Sequence, residues 1–184
     1  GVEQRNELLA KGTDPHLLSM TATPIPRSLA HAFYGDLDLL VIREKPPGRQ
    51  PVRTVLRDLS RAPRAYEYIR ERVEESGEQV YFVYPMIEAN EAVAGRKNVT
   101  ENAKLLSETY FKGLRLEILH GKLDGEEKAR IMNAFAAGEI DILCSTTVIE
   151  VGVDVANATI MVIESPHVFG LSQLHQPRGR VGRG

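Results

Sequence analysis

Short, continuously apolar runs separated by stretches of helical periodicity constrain this chain more than any other feature. Gln79 to Tyr84 (QVYFVY), Asp141 to Ser145 (DILCS) and Thr159 to Glu164 (TIMVIE) have the length of strands and lack polar alternation. A sheet with one wet face would alternate apolar and polar residues, so these runs predict strands covered on both sides. The segments between them are amphipathic. Arg64 to Ser76 sets Tyr66, Ile69 and Val73 on one face of a helix that Gly77 ends. Met86 to Asn98 reads as a loop, and Thr100 caps a helix running to about Lys112, ended by Gly113. Asp124, with Glu127 three residues on, opens a helix in the manner of a capping box. Ala129, Met132, Phe135 and Ala136 line its apolar face, and Gly138 stops it. Val52 to Arg57 and Arg115 to Leu119 read as further strands, His120-Gly121 as a turn, and Leu171 to Arg180 as a final helix. The expected fold class is therefore α/β: a doubly wound parallel sheet with helices on both faces.

The first quarter of the chain has a different texture. Val2 to Lys11 and Leu29 to Tyr34 read as helices, His16 to Thr21 and Leu37 to Ile42 as strands. Glu44 to Pro51 (EKPPGRQP) then packs three prolines and a glycine into eight residues, the best linker in the sequence. With 184 residues in all, the chain has room for one full domain and a remnant.

Composition excludes several classes. With 42% hydrophobic and 26% charged residues the chain is neither collagenous, low-complexity nor coiled coil. A single cysteine leaves no internal disulfide or cysteine-based metal cluster, and the five histidines (16, 31, 120, 167 and 175) lack ligand spacing, so no metal site is expected. No apolar run has the length of a membrane span, and the opening GVEQRNE is not a signal peptide. A soluble protein of a reducing compartment, the cytoplasm, is expected. The net charge of −2 hides an uneven distribution. Arg43 to Arg72 carries nine Lys/Arg against four Asp/Glu, a local +5, and Gln176 to Gly184 holds three arginines and no acid. Such patches, rather than total charge, are what a phosphate or nucleic-acid site needs, although the first could equally be a solvated face.

Three stretches carry chemistry. In QLHQPRGRVGRG (173–184), Arg180 and Arg183 stand three apart, each preceded by glycine and with no acid nearby. Guanidinium forks bind phosphate bidentately, and an arginine finger is the device that stabilises charge on a transferring phosphoryl group. CSTTVIEVGVD (144–154) follows a buried strand, the position at which open α/β sheets hold ligands. SMTATPIPR (19–27) sets hydroxyls at the end of another expected strand.

In order and spacing these three resemble the superfamily 2 helicases: SMTATPIPR is similar to motif III, ILCSTTVIEVGVDV to motif V and QLHQPRGRVGRG to motif VI. YGDLDLLVIREKPPGR, GEIDILCSTTVIEVGVDVANATIMVIE and the lead-in FGLSQLHQ resemble the bacterial RecG family of branch-migration helicases. This resemblance covers essentially the whole chain; motif VI alone marks the superfamily, and the interlobe stretch points to the family. Transcription-repair coupling factors, which resemble the chain in motifs III, V and VI, are one alternative. A non-catalytic module that clamps phosphate or nucleic acid is another.

The resemblance implies a fragment, from motif III to motif VI, of an ATP-dependent DNA helicase with two RecA-like lobes. Such a motor branch-migrates Holliday junctions and remodels stalled replication forks in recombination and repair. Residues 1–45 would be the end of the first lobe, 46–50 a linker and 51–184 the second lobe. Arg180 and Arg183 would act catalytically on the ATP γ-phosphate. Gln176 would link that site to DNA, and Glu150, Gly152 and Asp154 would face the nucleotide. Thr146 would touch a DNA phosphate, with His120 and Gly121 on the DNA side, while Ser19, Thr21 and Thr23 would couple hydrolysis to lobe movement. The implied cofactor is ATP with Mg²⁺, held mainly by the first lobe. The implied partners are branched DNA and the first lobe and wedge domain of the same protein, with no membrane.

Two departures matter. No Gly-rich Walker A loop and no acidic Walker B motif occur in these residues, so the chain is expected not to hydrolyse ATP unaided. Pro177 stands where the family has an apolar helix former; the expectation is a helix that starts late, with Pro177 in its first turn, or one that is kinked. Among smaller candidates, Cys144 is expected as buried packing and Tyr81, Phe82 and Tyr84 as core rather than a stacking platform, while His175 could hydrogen-bond within motif VI.

Overall fold

The computed structural model describes residues 18, 20, 40–42, 44, 51–85, 92–146 and 155–182. The chain divides into two compact units, Gly1–Leu39 and Leu40–Gly184. In the first, only Leu18 and Met20 are described; both are exposed and neither lies in a strand. The expected helices 2–11 and 29–34 and the stretch 46–50 fall outside the described residues. Of the expected strand 37–42, residues 40–42 are described, and they are exposed and irregular. A strand exists through its ladder bonds, and none of the described residues offers 40–42 a ladder.

The second unit runs α1 (Ala62–Ser76), β1 (Gln79–Val83), α2 (Ala92–Glu108), β2 (Leu116–Leu119), α3 (Gly125–Ala136), β3 (Ile142–Ser145), β4 (Ala158–Ile163) and α4 (Leu171–Arg178), with 3₁₀ turns at Leu59–Arg61 and Pro166–Val168. The sheet order is β2-β3-β1-β4, and every pairing is parallel. Alternate residues serve opposite faces. Val80, Phe82, Ile142 and Cys144 pack beneath Ile69 and Val73 of α1 and Val99, Ala103 and Leu106 of α2. Tyr81 and Leu143 meet Ile131, Met132 and Phe135 of α3 together with Val181. Both faces are covered, which is why the strands can be apolar throughout; the fold is the RecA-like doubly wound sheet that the sequence predicted.

Gln79 is the one amide in the first apolar run, and its burial has a reason. Its Nε2 donates to the carbonyls of Phe135 (2.5 Å) and Ile140 (2.7 Å), tying the last turn of α3 and the loop after it to the start of β1. At the other end of α3, Asp124 Oδ1 accepts from the Glu127 N–H at 2.8 Å. The capping box is only half formed, because the Glu127 carboxylate turns to Arg130 at 2.8 Å. Asp124→Ala should therefore cost about 1 kcal/mol, the usual worth of an N-cap, read as a lowered midpoint in urea unfolding at unchanged slope.

Two expectations fail. The helix expected to be capped at Thr100 begins at Ala92, and Thr100 lies inside it. Polar residues had suggested a loop, but Ala92 and Ala94 are strong helix formers and Gly95 costs only about 1 kcal/mol. Residues 52–57 form no strand. The pattern Val-Arg-Thr-Val-Leu-Arg suits an edge strand, yet no described strand pairs with it, so it runs as exposed coil apart from half-buried Val52.

Cys144 lies wholly within the sheet, as expected, and burial pushes its thiol up to about 12 from an ordinary value of 9.0. The neutral form is favoured in the folded state. Its contribution to stability is thus complete below pH 9.0 and is lost as the pH climbs towards 12. Folded protein at pH 8 should hold roughly a thousandfold less thiolate than unfolded protein, each pKa unit being tenfold. Alkylation by iodoacetamide should accordingly wait for denaturant; rapid labelling of native protein would contradict the burial.

Candidate nucleotide and nucleic-acid site at the carboxyl edge of the sheet

Because all four strands are parallel, their carboxyl ends share one edge, where open α/β sheets bind ligands. The register pairs Leu119 with Ser145, Val83 with Ser145 and Val83 with Ile163. The next residue of each strand therefore falls in a row: His120, Thr146, Tyr84, Glu164. Thr146 occupies the centre of that row and is almost fully buried, directly after the buried Ser145. His120 is half-buried and Gly121 exposed. Their turn is closed by the Leu123 N–H donating to the His120 carbonyl at 3.2 Å, and Lys128 Nζ donates to the Gly121 carbonyl at 2.9 Å. Open space surrounds Gly121 where a side chain would stand. The sheet thus brings His120, Gly121 and Thr146 together.

Two phenols stiffen the other half of the edge. Tyr84 is buried, and burial, followed by the proximity of Cys144 and Glu164, pushes its phenol well above the ordinary range. Tyr66, reaching over from α1, donates to Glu164 Oε1 at 3.1 Å, and burial and that carboxylate likewise raise its phenol. Both stay protonated, and Tyr66 acts as a donor. Tyr81, Phe82 and Tyr84 are all core, as expected. Glu164 was not singled out in the sequence; a carboxylate closing an apolar strand was its only signal.

The arginine-bearing segment follows β4 through Ser165, which takes a left-handed conformation (φ 48°) before the 3₁₀ turn. At the head of α4, Gln173 Oε1 accepts from the Gly170 N–H at 2.9 Å. The helix begins at Leu171 and ends at Arg178, two residues short of the expected limit. Pro177 sits in the last turn, not the first, and is buried. The N–H it lacks would have met the Gln173 carbonyl. The chain closes instead with tighter bonds, Gly179 N–H to the Gln176 carbonyl (3.0 Å) and Arg180 N–H to the Pro177 carbonyl (2.8 Å). Val181 plugs into the second core face, and Gly182 adopts φ 74°, which a side chain would oppose.

Along this segment Gln176 and His175 are exposed, and the His175 side chain makes no hydrogen bond among the described residues. Arg180 is half-buried, and no described carboxylate pairs with it. Arg178, which the sequence did not distinguish, donates through Nη2 to the Val52 carbonyl at 3.0 Å. Arg183, Glu150, Gly152, Asp154, Ser19, Thr21 and Thr23 lie outside the described residues. Among the described residues no group of His, Cys, Asp or Glu converges as a metal site, and no helix is long and apolar enough to cross a membrane.

Residues 64–184 match the family model of the helicase conserved C-terminal domain. The chain belongs to that family. It is also similar to longer proteins. Over all 184 residues it is 53% identical to the ATP-dependent DNA helicase RecG of Synechocystis and 52% identical to that of Thermotoga maritima. It spans 22% and 23% of those relatives' lengths. Among solved structures, RecG bound to a three-way DNA junction superposes with a TM-score of 0.71 at 53% identity, over 89% of this chain and 21% of that one.

Proposed function

We propose that this chain is the second motor lobe, with the end of the first, of an ATP-dependent DNA helicase that branch-migrates Holliday junctions and remodels stalled replication forks. The observation that carries this reading is the identity of about half the residues, end to end, with RecG helicases. The solved RecG relative was bound to a three-way junction, which favours branched DNA as the partner. Residues 1–45 then belong to the first lobe, 46–50 to a linker and 51–184 to the second lobe, working with the first lobe and wedge domain of the same protein in the cytoplasm.

Arg180 fits a triphosphate: a half-buried guanidinium without a described carboxylate partner, on a turn closed by its own backbone. In this reading Arg180 and Arg183 meet the γ-phosphate, while Glu150, Gly152 and Asp154 face the nucleotide and Gln176 relays to DNA. Thr146 contacts a DNA phosphate beside the His120-Gly121 turn. Ser19, Thr21 and Thr23 couple hydrolysis to movement. ATP supplies the bond whose cleavage drives the motor; its Mg²⁺ and most of its phosphate contacts fall to the first lobe.

The test is paired. Phosphate release by this chain alone should stay at background with and without forked DNA. The full-length protein should turn over ATP and do so faster on forked DNA than on linear duplex. Robust turnover by the chain alone, or indifference of the full-length protein to forks, would overturn the proposal.

A further inference from the structure

The two described arginines of the C-terminal segment stand two residues apart and are engaged differently. The Arg180 guanidinium has no partner among the described residues, whereas that of Arg178 is bonded to a backbone carbonyl 126 residues away, that of Val52. Residues 51–58 lack a ladder, so this carbonyl has no strand partner to accept from. The Val52 side chain packs against the same apolar cluster as Val181, on the far side of Arg180. Val52 is thus held twice, by its carbonyl to Arg178 and by its side chain to the cluster of Val181, and these two residues bracket Arg180.

We infer that Arg178 is a positioning residue: it fastens the segment that follows the proline-rich stretch 44–51 to the turn carrying Arg180, so that the two move as one. Displacement of the chain at Val52 is then carried to Arg180 without an intervening hinge, and the placement of the Arg180 guanidinium depends on where that segment lies. The inference rests on the proposed role of Arg180 and adds a device that governs it. Arg178 itself touches no phosphate in this account.

Arg178→Ala, Arg178→Lys, Val52→Ala and Arg180→Ala in the full-length protein separate the possibilities. An ammonium can donate to a carbonyl as a guanidinium does, but it cannot make the bidentate phosphate fork. Arg178→Ala should lower DNA-stimulated kcat about tenfold with the KM for ATP unchanged, Arg178→Lys should restore most of it, and Val52→Ala should show the same signature. Because the two substitutions release different attachments of the same segment, the Val52 side chain from the cluster of Val181 and the Val52 carbonyl from Arg178, the double variant Val52→Ala/Arg178→Ala should be at least as impaired as Arg178→Ala alone. Wild-type kcat in Arg178→Ala, a KM that rises with the loss, or no recovery with lysine would each overturn the inference. Should Arg178→Ala fail to fold, the Val52→Ala and Arg178→Lys variants still decide it. Failure of the underlying reading looks different: Arg180→Ala itself would then retain hydrolysis.

Discussion

Arg180→Ala in the full-length protein is expected to lower ATP turnover by about 10³–10⁵-fold, the usual worth of an arginine finger, while leaving binding to a three-way junction nearly intact. The reasoning is electrostatic. A guanidinium already neutralised by a carboxylate has little left to offer a transferring phosphoryl group, and Arg180 has no such partner among the described residues. It is half-buried, so the water that would screen its charge is partly excluded. Its position is fixed by its own N–H on the Pro177 carbonyl and by Val181 in the core. Removing the side chain therefore deletes charge at a prepared place and leaves the fold's contacts standing. Steady-state phosphate release and fluorescence anisotropy with junction DNA measure the two quantities. Equal loss of both would mean that Arg180 holds the lobe together rather than serving the nucleotide.

DNA binding should answer to a different variable. Contacts through phosphates release counterions, so the affinity of the intact protein for junctions should fall steeply and log-linearly with salt. Arg180→Ala should leave that slope unchanged, whereas Thr146→Ala, at the centre of the edge row, should weaken binding similarly on all sequences. A sequence-dependent loss would point to base contact instead.

The sheet was legible because burial on both faces leaves a plain signature, and QVYFVY, DILCS and TIMVIE each emerged as a strand within a residue or two. Helix α2 was misread at its start because a polar, glycine-containing stretch looks like a loop, although an alanine-containing segment that continues a long helix can absorb it. The run 52–57 was misread for the opposite reason: its pattern is that of a strand, but a strand is a property of two chains' backbone groups, and pattern alone does not supply the second. In the site, residue types identified the arginine segment, whereas the distinct engagement of Arg178 and Arg180 needed coordinates, since nothing local pairs Arg178 with a carbonyl 126 residues earlier. The neighbourhood of His120 and Thr146 likewise follows from strand order, because β2 and β3 are adjacent only after α3 has crossed between them. Pro177 was an apparent obstacle while the helix was thought to reach Arg180; a helix ending at Arg178 loses one bond, in its last turn, where tighter bonds replace it.

Phe82→Ala should be the most damaging substitution for the fold. Phe82 lies on β1, an inner strand bonded on both sides, and has no exposed surface. Its ring meets Tyr66 at a centroid distance of 6.0 Å and Phe111 at 5.7 Å, so it joins α1, the sheet and the segment after α2. Truncation leaves a cavity that backbone bonded on two sides cannot collapse to fill. A phenylalanine lost from such a site costs about 3–5 kcal/mol, against a total of about 5–15 kcal/mol for a typical domain. Chemical unfolding of this chain should show a midpoint lowered accordingly, with little native signal left near physiological temperature. Phe82→Leu, which keeps most of the volume, should recover more than half of the loss. A variant in which alanine and leucine are equally tolerated would mean that the first core face is loosely packed, and Tyr66 would then be a poor anchor for Glu164 at the carboxyl edge.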